Sequence, residues 1–206
     1  MSEPLILHEF SLSGNCYKVR LTASLVGAHL ERREYDIMKG ETRTPEFLAN
    51  VNANGRIPVL QVGDRFIPES NAACYYVAEG SSLIPTERFD HADLLRWMFW
   101  EQYNHEPNIA TARYWLRHGH LTPSREPLFA QKRLAGYAAL GVMEGHLASR
   151  TFFVGERYSI ADIALYAYTH VGDQGGFELK RYPAVCAWLD RVRAQPGHVP
   201  LLKPQS

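Results

Sequence analysis

An α/β unit followed by an all-α unit is the fold class this sequence predicts, and three observations carry the prediction. Up to residue 79, short apolar runs and helical stretches follow one another in the order β-α-β-α-β-β-α. From Asp90 onward strand alternation disappears and long helical patterns take over. Between the two, Gly80-Ser81-Ser82-Leu83-Ile84-Pro85 is turn-rich and reads as a linker. The expected organisation is a first domain over 1–79, a linker over 80–88 and a helical domain over 89–206.

Leu5 to Phe10 is a short apolar run and reads as the first strand. A helix follows from about Asn15 to Val26, where Cys16, Val19, Ala23 and Val26 recur at helical spacing and Gly27 supplies a C-cap. Arg32 to Asp36 reads as a second strand. Thr44-Pro45-Glu46 opens a short helix with a threonine cap and proline at the first helical position. Pro58 to Val62, Gly63-Asp64 and Arg65 to Pro68 read as a hairpin with its turn, and Ser70 to Ala78 as a helix capped by Ser70. In the second part, Leu94, Trp97, Met98 and Glu101 begin one helix. Arg125 to Leu147 forms another, with Leu128, Leu134, Leu140, Val142 and Leu147 on its apolar pattern. Ser159-Ile160-Ala161-Asp162 is a variant capping box ahead of an apolar run. Tyr182-Pro183 precedes a last helix carrying Val185, Trp188, Leu189 and Val192.

The composition is that of a water-soluble globular chain, with Lys plus Arg equal to Asp plus Glu at 22 each. Zero formal net charge gives no electrostatic argument for nucleic acid or an anionic membrane surface. Cys16, Cys74 and Cys186 are odd in number and widely spaced, which argues against a disulfide framework or a zinc site. No signal-peptide pattern and no apolar run of membrane-spanning length is visible, so a cytoplasmic location is expected.

The strand-to-helix turn Ser13-Gly14-Asn15-Cys16 holds the most informative residues. A thiol-disulfide enzyme of the thioredoxin type carries Cys-x-x-Cys at such a turn; here serine stands in the first position. With Ser13 through Val19, the chain also has Asn54-Gly55-Arg56-Ile57-Pro58-Val59-Leu60, Glu69-Ser70 at a helix start, and Ser159 through Asp162 in the helical part. In this order and spacing they resemble the cytosolic glutathione S-transferase family over nearly the whole chain, closest to bacterial theta- or nu-like members with a hydroxyl at the first turn. The resemblance implies a thioredoxin-like first domain, glutathione as co-substrate and a homodimer, and no metal.

It also implies roles for individual residues. Ser13 would hold the glutathione thiol as thiolate, with Asn15 supporting it; Ser11, nearer the strand end, is the rival hydroxyl. Ile57 would offer its backbone to the cysteine part of glutathione through a cis bond to Pro58. Glu69 and Ser70 would hold the γ-glutamyl end, and Arg56 and Thr42 the glycyl carboxylate. Read from the residues alone, Ser13 is a helix cap and Asn15 a turn residue. Cys16 is open between a packed core residue and a redox group, and Asp162 reads as a folding cap. Aromatics interspersed with charge across 97–115 single out Tyr103, His105, Glu106, Arg113 and Trp115 as candidates for a second-substrate pocket, expected between the domains.

The expected function is conjugation of the glutathione thiolate to an electrophilic, mostly apolar small molecule. A glutathione-dependent disulfide reductase or peroxidase, and a non-enzymatic binding protein of the same fold, are the alternatives.

Overall fold

The structure is a computed structural model and describes residues 3–202. The chain forms two compact units. One holds the residues up to Ser81 plus a returning segment from Pro196; the other is Ser82–Gln195. The returning segment, assigned to the helical part by its place in the sequence, is tied to the first unit by buried Tyr17, whose hydroxyl donates to the Val199 carbonyl at 2.7 Å. Ser24 Oγ donates to the Gly197 carbonyl at 2.8 Å.

The first unit is built on four strands, β1 (Leu5–Glu9), β2 (Leu30–Glu34), β3 (Val59–Val62) and β4 (Arg65–Pro68), in the order β2-β1-β3-β4. β1 and β2 are parallel; the other two pairings are antiparallel. Three helices belong to this unit: α1 (Gly14–Val26), α2 (Pro45–Asn50) and α3 (Ser70–Ala78). α1 ends at Gly27, whose φ of 69° is open to glycine without steric penalty. Thr44 caps α2 by accepting the Phe47 N–H. Leu7, Val19, Leu60, Val62, Ala73 and Cys74 form the apolar core.

β2 begins and ends two residues earlier than its sequence pattern indicates. The Asp36 carboxylate accepts the Met38 and Lys39 N–H groups, so this residue starts a 3₁₀ turn instead of continuing the ladder. The cap of α3 also differs from expectation. The N-cap position is Glu69, at φ 73° and ψ 113°, and Ser70 is the first helical residue.

In the second unit the helices are α4 (Arg88–Trp100), α5 (Glu106–Arg117), α6 (Glu126–Leu147), α7 (Ile160–Thr169) and α8 (Pro183–Arg193), with a π-helical turn at Glu101–His105 joining α4 to α5. α7 is buried along its whole length, so its run of apolar residues has no polar face. α8 buries the four apolar residues its period marks. On α6, Leu140 and Leu147 are buried, but Leu128, Leu134 and Val142 are exposed. α6 approaches its neighbours through Gly136, where an added Cβ would lie 2.5 Å from the Phe177 ring.

Candidate glutathione site

Strand register brings the three motifs of the first unit to one edge of the sheet. β1 ends at Glu9, β3 begins at Val59 and β4 ends at Pro68; Val59 pairs with His8 on one side and Pro68 on the other. The Ser13 turn, Ile57-Pro58 and Glu69-Ser70 therefore all leave the sheet at the same end.

At the first turn, Ser13 N donates to the Phe10 carbonyl (2.9 Å), and Ser13 is the N-cap of α1, its Oγ accepting the Cys16 N–H at 3.3 Å. The oxygen accepts the Cys16 N–H, and the same side chain also bears on the Cys16 thiol, whose ionised form it favours. Ser11 is differently employed. Its N–H and its hydroxyl donate to the two oxygens of Glu34, each at 2.7 Å. Of the two rival hydroxyls, Ser11 gives its proton to a carboxylate, whereas Ser13 bears only on the weakly accepting Cys16 thiol.

Cys16 is fully buried, and its sulfur accepts the Phe10 N–H at 3.4 Å. Burial pushes its thiol up to about 12, against the smaller opposing pull of the Phe10 and Ser13 hydrogen bonds. This is a packed thiol, without the exposure or low pKa of a reactive one. Cys74 is also buried, while Cys186 is half-buried with its thiol donating to the Leu179 carbonyl.

Asn15 joins the turn to α3, its Oδ1 accepting the Ser70 hydroxyl at 3.4 Å. Lys18, fully buried on α1, donates to Ser70 Oγ at 3.5 Å and to Asn71 Oδ1 at 3.3 Å. The Ser70 hydroxyl is thus both donor and acceptor within the protein, while its backbone N–H opens α3, where helix-terminal donors and the dipole favour an anion. Glu69 is exposed in a conformation that costs a non-glycine residue about 1–3 kcal/mol, the kind of backbone that gathers at ligand clamps.

The Ile57-Pro58 bond is cis. Neither the Ile57 N–H nor its carbonyl has a partner among the described residues, so both are available to an extended ligand backbone. Arg56 is exposed, with its carbonyl held by Asn52 Nδ2 at 2.9 Å. Thr42 is buried, and its carbonyl lies 2.9 Å from where a Cβ on Gly55 would stand.

Residues assigned to the second substrate have different surroundings within the helical unit. Tyr103 is exposed. His105 is fully buried against α7: Thr169 Oγ1 gives its proton to the Leu165 carbonyl (2.7 Å), so His105 Nε2 is the donor across the 2.8 Å to Thr169. Glu106 is half-buried. Arg113 is buried and donates to Gln174 Oε1 at 2.8 Å, and burial pulls its pKa below the ordinary value. Trp115 lies half-buried under the Arg125 guanidinium, 5.7 Å from its ring centre. Asp162 is a buried folding carboxylate. It accepts from Phe153 N, Ser159 N, Ser159 Oγ and Trp188 Nε1, which completes the capping box.

Sequence reasoning missed Lys18 and Asn71, and it missed Glu9, Arg20, Arg32 and Glu34 around Ser11. Lys18 reads locally as an ordinary solvent-facing lysine on an amphipathic helix. Its burial depends on α3 packing over it, and no local spacing signals that. Among the described residues no cluster of His, Cys, Asp or Glu could hold a metal ion, and no helix is long and apolar enough to cross a membrane.

Comparison with known proteins accounts for both halves of the chain. Residues 3–79 match the family model of the glutathione S-transferase N-terminal domain, and residues 97–196 match that of the C-terminal domain. A crystal structure of glutathione S-transferase from Pseudomonas fluorescens Pf-5 is 46% identical, with a TM-score of 0.93 over 97% of this chain and 99% of that one. The disulfide-bond oxidoreductase YfcG of Escherichia coli K12 is 29% identical over 189 residues, 86% of each protein. Elongation factor 1-gamma 3 of rice is 33% identical over 172 residues, where the match covers 82% of this chain and only 40% of the rice protein. With family models on both units and the turn, cis-proline and α3 start converging at one sheet edge, the protein belongs to the glutathione S-transferase family.

Proposed function

We propose that the protein binds glutathione in the first unit and conjugates it through its thiolate sulfur to an apolar electrophile, working as a homodimer. The observation that carries this reading is the Ser13 hydroxyl at the start of α1, its oxygen fixed by the Cys16 N–H and its proton given to no carboxylate or carbonyl among the described residues. A hydroxyl donating to a thiolate contributes about 1.5–3 kcal/mol. At about 1.36 kcal/mol per unit, that lowers a thiol pKa by about one to two units, and the α1 dipole adds to it. In the reaction the sulfur lone pair attacks the electrophilic carbon, a C–S bond forms, and the leaving group departs with its electron pair. Ile57 would align the ligand's cysteine backbone. The Ser70 N–H would take the γ-glutamyl carboxylate and Glu69 its ammonium, with Arg56 nearest in chemistry to the glycyl carboxylate.

The test is Ser13→Ala. It should raise the pKa of bound glutathione, read by ultraviolet thiolate absorbance. It should also lower kcat/KM for an aryl halide by about tenfold to a hundredfold near neutral pH while leaving the protein folded. An unchanged thiol pKa would exclude Ser13 as the donor. Absence of glutathione binding at millimolar ligand in calorimetry would exclude the enzymatic reading altogether.

Similarity to the E. coli disulfide-bond oxidoreductase favours a second reading, in which bound glutathione attacks sulfur instead of carbon. Cys16, buried with its thiol pushed up to about 12, supports glutathione as the source of the nucleophile in either case. Parallel assays with an aryl halide and a small disulfide separate the two: strong disulfide turnover with no aryl-halide turnover would select the second.

A further inference from the structure

Every polar group of Ser11 is held. Its N–H and hydroxyl both donate to the Glu34 carboxylate, Arg32 Nη2 donates to its Oγ at 3.1 Å, and Arg20 Nη2 donates to its carbonyl at 2.9 Å. The two arginines are themselves anchored by Glu9, one on each carboxylate oxygen, and Glu9 is fully buried. The arrangement follows from strand register. β1 and β2 pair with Glu9 opposite Glu34, and the period of two puts Arg32 on the same face, towards which α1 brings Arg20. Two carboxylates at paired positions would repel, and the two guanidiniums held on Glu9 offset that. The result is a closed set of charge-assisted hydrogen bonds around one residue, two positions ahead of Ser13.

This is more restraint than a connecting loop needs. Phe10 through Leu12 spans only the gap between strand and helix, and the Ser13 N–H already closes a turn onto the Phe10 carbonyl. A hydroxyl that must meet a thiolate at hydrogen-bond distance is sensitive to displacements well below 1 Å, so a fixed approach to Ser13 has a direct chemical use.

We propose that Ser11 and Glu34 are positioning residues for the thiol-holding turn: the Glu34 carboxylate, together with Arg32 and Arg20 anchored on Glu9, fixes Ser11 and thereby the place of the Ser13 hydroxyl. This rests on the reading of Ser13 as the thiol's donor. Ser11 is then no ligand of glutathione at all.

The test uses the full chain and Ser11→Ala, Ser11→Thr, Glu34→Gln and Ser13→Ala. Two quantities are measured in each: the pKa of the bound glutathione thiol, and the affinity for S-methylglutathione, which has no thiol to ionise. The expected result is a raised thiol pKa in Ser11→Ala and Glu34→Gln, with kcat/KM down about threefold to tenfold near neutral pH, a rise of up to about one unit. Ser11→Thr should restore the wild-type value, and the affinity for S-methylglutathione should not move. A merely structural role would lower thermal stability without shifting the thiol pKa, and that outcome overturns the proposal. So does a Ser11→Ala variant as deficient as Ser13→Ala while Glu34→Gln is normal, since Ser11 would then be the donor itself. If Ser13→Ala leaves the thiol pKa unchanged, the parent reading falls and this one with it. If Ser13→Ala shifts it and Ser11→Ala and Glu34→Gln do not, this one falls alone.

Discussion

Two residues separate a hydroxyl placed to act from a thiol that is not. Ser13 stands at the opening of α1 with its oxygen fixed by the Cys16 N–H, whereas Cys16 is sealed inside the same turn with its thiol pushed up to about 12. The native protein should therefore show no reaction of Cys16 with an aromatic disulfide reagent until it is unfolded. Cys16→Ala should retain glutathione-dependent activity within about twofold, because a buried cysteine serves as a small apolar group. Loss of activity with the fold intact would reinstate a redox role. At this scale the candidate site was legible through resemblance: Ser13, Ile57-Pro58 and Glu69-Ser70 drew their proposed roles from their joint order and spacing, since each motif alone also fits a bland cap or turn. Lys18 and Glu34 were not, because each acquires its role from a partner far along the chain, Ser70 for one and Ser11 for the other.

Among the elements, α7 depends most on a single side chain. Asp162 satisfies four buried or capping donors, and Asp162→Ala would leave the Phe153 and Ser159 N–H groups and the Trp188 indole N–H unpaired in the interior. Each orphaned buried donor costs about 1–3 kcal/mol, so the variant should lose a large part of an ordinary domain's stability of about 5–15 kcal/mol, measured by urea denaturation. The same carboxyl gives stability a pH dependence. Burial raises it from 3.8 to about 6 despite the four donors, so the folded protein holds the proton more tightly than the unfolded chain does. Its contribution is present at low pH and declines as pH rises through about 6, and Asp162→Asn should abolish that component. The box was readable because its partners are three residues apart. α6 was less so: helical periodicity marks where apolar residues fall, not which of them a neighbour covers, and Leu134 was left in solvent. β2 misled for a related reason, its four charged residues on an exposed edge giving no apolar alternation to locate it.

For the whole molecule, the proposed homodimer has apolar surface to work with. Phe89 and Phe99 on α4 and Tyr103 in the π-helical turn are 74%, 71% and 83% exposed, and α6 adds Leu134 at 75%. A chain of zero net charge offers no long-range repulsion between copies. Sedimentation should find two copies associated at micromolar concentration, and Phe99→Asp should shift the population to single chains. A wild-type protein that sediments as one copy would dismiss the dimer. The division into two units was visible in the sequence as a change of period, but the return of the final segment was not, because no local pattern announces that Tyr17 will hold Val199.

That return has a consequence for how the protein is made. The four strands have all been synthesised once the ribosome reaches residue 68, yet the first unit still lacks its closing segment. The nascent chain must carry an unfinished first unit through production of the whole helical part, until residues 197–199 emerge and are captured by Ser24 and Tyr17.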